Sequence, residues 1–270
     1  ALPTPKTLPL EVNVEPEICE DGRVTNKVQI ESPSQGNIKI DVKDPDSGDD
    51  FSPGSEIKVS VNVENDKDED IDVIVEAILY NIDQDNEIER VESDSISIDE
   101  DGDEDVDLTL KVPTSDSDLD EGDNFVLFVK AAEDGNEDEN CNYDSVELDF
   151  ERNTNDVVIN KVTIAPQVAA CSETVNFAVD VQNVGTKEQD SVQVKLREST
   201  LGLDLSSEVF GLKKFDKSGD SALKTFTFNI PSNAKEGDYF VDAKVFFASR
   251  TASLGLNKLT VANCKAVVSQ

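Results

Sequence analysis

The 270-residue chain contains no histidine, no tryptophan and no methionine. Without histidine there is no imidazole to serve as a neutral-pH base, which excludes Ser–His–Asp and Cys–His catalytic constellations. The only tyrosines are Tyr80, Tyr143 and Tyr239, a poor supply for the aromatic platforms on which sugars stack. No Cys-x-x-Cys pair occurs, and without histidine a zinc site lacks its usual ligands. A glycine-rich phosphate loop is also missing. No asparagine opens an Asn-x-Ser/Thr triplet, so N-linked glycosylation is not expected. No apolar run approaches the roughly 20 residues of a membrane-spanning helix, so no membrane insertion is expected within these residues. Paired carboxylates could in principle serve glycoside hydrolysis, but among 59 acidic residues no pair stands out. No enzyme activity is expected.

Basic residues are scarce as well. There are 24, against 59 acidic ones, for a formal charge of −35. Nucleic acid is excluded as a partner, because phosphate binding needs a basic footprint. An anionic membrane surface is disfavoured for the same reason. The imbalance is local. Residues 151–270 hold 14 acidic and 14 basic residues, which leaves 45 and 10 for residues 1–150. The densest stretch is "IDEDGDEDVD" at 98–107.

What the chain does contain is a repeat. Residues 55–65 read "SEIKVSVNVEN" and residues 172–183 read "SETVNFAVDVQN". Both alternate apolar and polar residues, the pattern of a half-buried strand, and both end at asparagine, Asn65 and Asn183. "DLTLKVP" at 107–113 returns as "TFTFNIP" at 225–231, and "EGDNFVLFVKA" at 121–131 returns as "EGDYFVDAKVF" at 236–246. Pro113 and Pro231 are 118 residues apart, as are Asn65 and Asn183. Short alternating runs between frequent turn signals predict two tandem all-β domains, each an antiparallel sandwich. Strands are expected near 38–42, 56–64, 72–80, 87–98, 106–112, 124–132 and 143–150. In the second copy they are expected near 158–164, 173–182, 191–197, 206–214, 222–230, 238–247 and 254–262. The domains are then an N-terminal extension over 1–36, an acidic sandwich over 37–152 and a second sandwich over 153–270.

"IDEDGDEDVDLTLKVP" corresponds to "FDKSGDSALKTFTFNIP" at 215–231. The second copy keeps the glycine turn and drops most of the acid, so the hairpin does not need its carboxylates. Three readings remain for them: adaptation to salt, a solvated face that repels other copies, and a divalent-cation site. In an up-and-down strand order, loops 65–71, 99–105 and 133–140 share one pole. That would bring together Asp66, Asp68, Asp70, Asp99, Asp101, Asp103, Asp105, Glu133 and Asp134 as candidate ligands. Ca²⁺ takes six to eight oxygens in flexible geometry, so Ca²⁺ is the one cofactor these residues suggest. No EF-hand loop is spelled out.

Residues 8–14, "LPLEVNV", alternate Leu10, Val12 and Val14 on one face and have no counterpart before the second repeat. Such a strand either covers an edge of its own domain or adds to the open sheet edge of a neighbouring molecule.

The segments "VEPEICEDG" at 14–22, "FSPGSEIKVSVNVEN" at 51–65, "EDENCNYDSVELDFER" at 137–152 and "CSETVNFAVDVQNVG" at 171–185 resemble archaeal surface-layer (S-layer) proteins. Their repeats are similar to CARDB-type immunoglobulin-like modules. The resemblance implies immunoglobulin-like sandwiches and a secreted, cell-surface location. Four cysteines permit three pairings, and in an oxidising compartment one bond per domain gives Cys19–Cys141 and Cys171–Cys264. The function expected is that of an extracellular structural protein that self-assembles, as a homo-oligomer, into a surface layer or filament. The alternative is a monomeric adhesion or ligand-binding module that meets a cell-surface partner.

Overall fold

A computed structural model describes residues 18–19, 36–114, 119–137 and 139–264. The chain divides into two units, Ala1–Glu151 and Arg152–Gln270. The described residues of both are β-strands and turns, with no helix among them.

The first unit contains β1 (Ile38–Asp44), β2 (Asp50–Phe51), β3 (Glu56–Asn65), β4 (Ile71–Asn81), β5 (Asn86–Glu92), β6 (Ile96–Ile98), β7 (Asp103–Lys111), β8 (Phe125–Glu133) and β9 (Cys141–Phe150). They form a three-stranded sheet, β1-β3-β7, and a larger one, β2-β9-β8-β4-β5, with β6 also paired to β4. Every pairing is antiparallel except β2 with β9. The lead-in strand therefore serves both sheets, first as β1 and then as β2. The two sheets trap alternate side chains between them. Val59, Val61 and Val63 from β3 meet Val73, Val75 and Leu79 from β4 and Leu127 and Val129 from β8 in one core.

The second unit repeats this strand for strand. It contains β10 (Val157–Ala165), β11 (Val168–Ala169), β12 (Thr174–Asn183), β13 (Gln189–Glu198), β14 (Leu203–Ser206), β15 (Phe210–Leu212), β16 (Ser221–Asn229), β17 (Gly237–Phe247) and β18 (Arg250–Val261). Its sheets are β10-β12-β16 and β11-β18-β17-β13-β14, with β15 on β13. Only β11 with β18 is parallel. Each strand thus has its counterpart nine strands on. Both units also carry a cis peptide after their first strand, at Asp44–Pro45 and Ala165–Pro166. The fold is all-β: two tandem immunoglobulin-like antiparallel β-sandwiches.

Two details differ from the sequence reading. The strand order is not up-and-down, because β3 to β4 and β6 to β7 cross between sheets. Single strands were expected over 87–98 and 206–214; the first is broken at Ser93, and in place of the second β14 ends at Ser206, ahead of Ser207, and β15 spans Phe210–Leu212. Val75 donates its N–H to the Ser93 hydroxyl (3.0 Å) and Ser93 donates back to the Val75 carbonyl (2.9 Å). Val194 and Ser207 repeat both bonds, at 3.0 and 2.9 Å. A hydroxyl standing in for a backbone acceptor ends regular pairing there. The expected extension strand over residues 8–14 lies outside the described residues.

Candidate functional site

The acidic pole of the first unit is organised by a buried asparagine. Asn65 ends β3 with its amide nitrogen donating to the carbonyls of Glu69 (2.9 Å) and Asp99 (3.1 Å), while its side-chain oxygen accepts the Lys67 N–H (2.9 Å). One side chain thereby ties the β3–β4 loop to the β6–β7 turn. Asp70 accepts the Glu100 N–H (3.0 Å), and Asp134 donates its own N–H to the Asp72 carbonyl (2.8 Å). Loops 65–71, 99–102 and 134–140 meet at one pole because β6 runs back along β4 and β8 lies antiparallel to β4.

The candidate carboxylates do not converge there as one ligand set. Asp66 pairs with Lys39 at 2.6 Å, and this exposed contact lowers its pKa. Asp68, Asp99 and Asp101 are exposed on the loops. Asp103 and Asp105 lie on β7, where both accept from the Asn62 amide (2.8 and 2.9 Å). Asp134 accepts from the Ser95 hydroxyl (3.0 Å). Glu133 turns inward and holds the Lys67 ammonium (2.5 Å) and the Asn140 amide (2.9 Å). Burial alone would raise the Glu133 pKa, but the Lys67 ammonium and the amides of Asn140 and Asn136 outweigh it and hold it below its ordinary value. Among the described residues, no three His, Cys, Asp or Glu side chains are grouped to hold a metal ion. Among the described residues Lys67 is the cation held at this pole.

A second charged group sits on the outward face of the larger sheet. Lys130 from β8 is 3% exposed and Glu76 from β4 is 7% exposed. Lys130 pairs with Glu76 and Glu137, each at 2.8 Å, and Arg90 bridges Glu76 (3.2 Å) and Glu87 (2.8 Å). A shallow cavity of about 380 Å³ borders Lys130, Glu133 and Glu137. Further along this face, Ile78, Tyr80 and Phe128 form a small apolar cluster with Ile18. Tyr80 stands edge-on to Phe128 (6.2 Å between centroids) and donates its hydroxyl to Asp85 (2.6 Å). Burial, then that carboxylate, raises its pKa.

Ile18 reaches this face beside Cys19, which is bonded to Cys141 at the start of β9 (Cα–Cα 5.7 Å). In the second unit Cys171, ahead of β12, is bonded to Cys264, beyond β18 (4.9 Å). The assembly candidates Leu10, Val12 and Val14 lie outside the described residues.

The sequence reading passed over Lys67, Glu76, Lys130 and Asn140. A signal for two of them was present. "VIVEAILY" at 73–80 and "FVLFVKAA" at 125–132 each place one charge, of opposite sign, inside an apolar run, and the runs are neighbouring strands. Lys67, the lone base in "NDKDED", was hidden by its acidic neighbours. Nothing local marks Asn140, which is buried by contacts with Asn37 and Glu133.

These sheets define a class, the tandem immunoglobulin-like sandwich. No protein-family model matches the chain, and no curated protein matches it. Solved structures do. Red sea bream transglutaminase is similar at 12% identity over 84% of this chain and 32% of its own (TM-score 0.33). The native conformation of E. coli alpha-2-macroglobulin is similar at 12% identity over 83% of this chain and 17% of its own (0.42). A CARDB domain from Pyrococcus furiosus, solved in complex with di-metal ions, is similar at 18% identity over 41% of this chain and 96% of its own (0.32). The chain thus spans less than a third of the first two proteins. None of the three likenesses bears on activity.

Proposed function

We propose that the chain is a non-enzymatic extracellular structural protein that self-assembles into a surface layer or filament. The observation that carries this reading is one disulfide-closed sandwich made twice, with all net charge confined to the first copy. The two disulfides are compatible with an extracellular protein. A −35 body repels its own kind, while a net-neutral second body is free to make contacts. The resemblance to archaeal surface-layer proteins supports the same reading. Residues 8–14, with Leu10, Val12 and Val14 on one face, are the proposed assembly strand.

Sedimentation of the full chain beside a chain lacking residues 1–14 tests this. The full chain should form concentration-dependent polymers, and the truncated one should stay folded and monomeric. A full chain that stays monomeric yet binds a cell-surface ligand saturably would favour the adhesion module instead. Assembly undiminished by the deletion would remove residues 1–14 from the mechanism.

A further inference from the structure

The two copies of the sandwich differ at one edge. β7 closes the small sheet of the first unit and β16 closes that of the second; among the described residues each pairs on one side only, with β3 and β12. At β7 the inward side chains Val106, Leu108 and Leu110 are buried, and β5 comes up against the strand from the opposite sheet. At β16 their counterparts 118 residues on, Lys224, Phe226 and Phe228, are only partly buried; the Lys224 ammonium lies over the Phe210 ring of β15 (3.6 Å), and β14 does not come comparably close. The inward face of β7 is thus more deeply buried than that of β16.

Their outward faces differ too. Asp105 and Asp107 of β7 occupy the places that Leu223 and Thr225 hold in β16, 118 residues on. Carboxylates along an edge strand deter pairing with other chains. Leu223 is 63% exposed, and β16 carries no carboxylate at all. The acidic edge carries outward carboxylates and its copy carries none; the one charge on β16, Lys224, faces inward over Phe210.

We infer that the β16 edge is the acceptor for residues 8–14 of a second copy of this chain, an inference that rests on the self-assembly reading above. The fit is one of pattern and charge. Seventeen residues precede the Ile18–Cys19 anchor. Within them, 8–14 place Leu10, Val12 and Val14 on one face, to lie along the consecutive inward positions Lys224, Phe226 and Phe228. Glu11 and Asn13 fall on the other face, beside Leu223, Thr225 and Thr227. A strand bearing Glu11 meets no carboxylate on β16, whose one charge is Lys224, and is repelled by β7. Backbone hydrogen bonds to the open edge supply affinity, and the alternating side chains set register.

The test uses the full chain, a labelled peptide of residues 1–14, and the variant Leu223→Asp/Thr225→Asp, which copies the β7 guard onto exposed positions. The peptide should bind the wild-type chain, and the variant should bind it about tenfold or more weakly and assemble correspondingly less. A peptide carrying Val12→Asp gives the same test with no change to the fold and should not bind. Equal binding by the variant, or by the altered peptide, would overturn the inference. So would peptide binding seen only after residues 1–14 are deleted from a monomeric chain, because the segment would then serve its own molecule. Peptide binding to a wild-type chain that never assembles would sink the assembly reading and leave the edge assignment standing. Wild-type assembly untouched by the guard would do the reverse.

Discussion

Asn183 is fully buried, and its bonds show why each repeat ends this strand in asparagine. Its amide donates to the carbonyls of Lys187 and Lys213 (both 2.8 Å) and its oxygen accepts the Gly185 N–H (3.0 Å). Asn65 uses the same reach, to the carbonyl four residues on and the N–H two residues on. Asn183→Ala deletes all three bonds of this buried side chain and should cost about 1–3 kcal/mol in denaturant unfolding. The Glu76–Lys130 pair belongs to a network in which Glu76 also holds Arg90 and Lys130 also holds Glu137, so the changes at the two positions are coupled. Lys130→Met should cost about 1–3 kcal/mol, and Glu76→Leu/Lys130→Met less than the sum of the two single changes, which a double-mutant cycle will resolve. Glu133 adds a pH dependence. Its folded pKa is depressed, so its contribution is present above the ordinary carboxylate range and is lost as pH falls through the depressed value. The stability gap between wild type and Glu133→Gln should therefore narrow on acidification; a gap constant with pH would contradict the Lys67–Glu133 assignment.

At the scale of elements, the alternation in "EIKVSVNVEN" and "TVNFAVDVQN" located β3 and β12 to within a residue or two of their observed ends, because one buried face imposes period two. The breaks at Ser93 and Ser207 were not legible, since a hydroxyl that replaces a backbone acceptor leaves the apolar pattern intact. The carboxylates were legible as composition but not as geometry. Their partners Lys39, Asn62 and Lys67 come from other strands and loops, and only the sheet order brings them near. The paired sulfurs illustrate what closure contributes. Cys171 and Cys264 are 93 residues apart, and a loop of that size stabilises by about 4–5 kcal/mol, less any strain, in the chain-entropy account. Calorimetry of Cys171→Ser/Cys264→Ser should show the second unit's transition falling while the first unit's stays in place.

Across the whole molecule the decisive feature is where the charge lies. Self-repulsion among 45 carboxylates is screened by salt, so added sodium chloride should raise the melting transition of the first unit more than that of the second. Calcium chloride at equal ionic strength should add no further specific shift, because the acidic loops are tied to Lys39, Lys67 and backbone N–H groups. Their carboxylates are not gathered around one point. If copies meet through the β16 edge as proposed, the repulsion of the acidic body restricts their other contacts, and a heterologous contact that does not close into a ring propagates as a filament. Electron microscopy of the assembled full chain tests this most directly. The account predicts ordered polymers of repeating two-domain subunits, joined through the second sandwich; a uniform field of single two-domain particles at every concentration would contradict it.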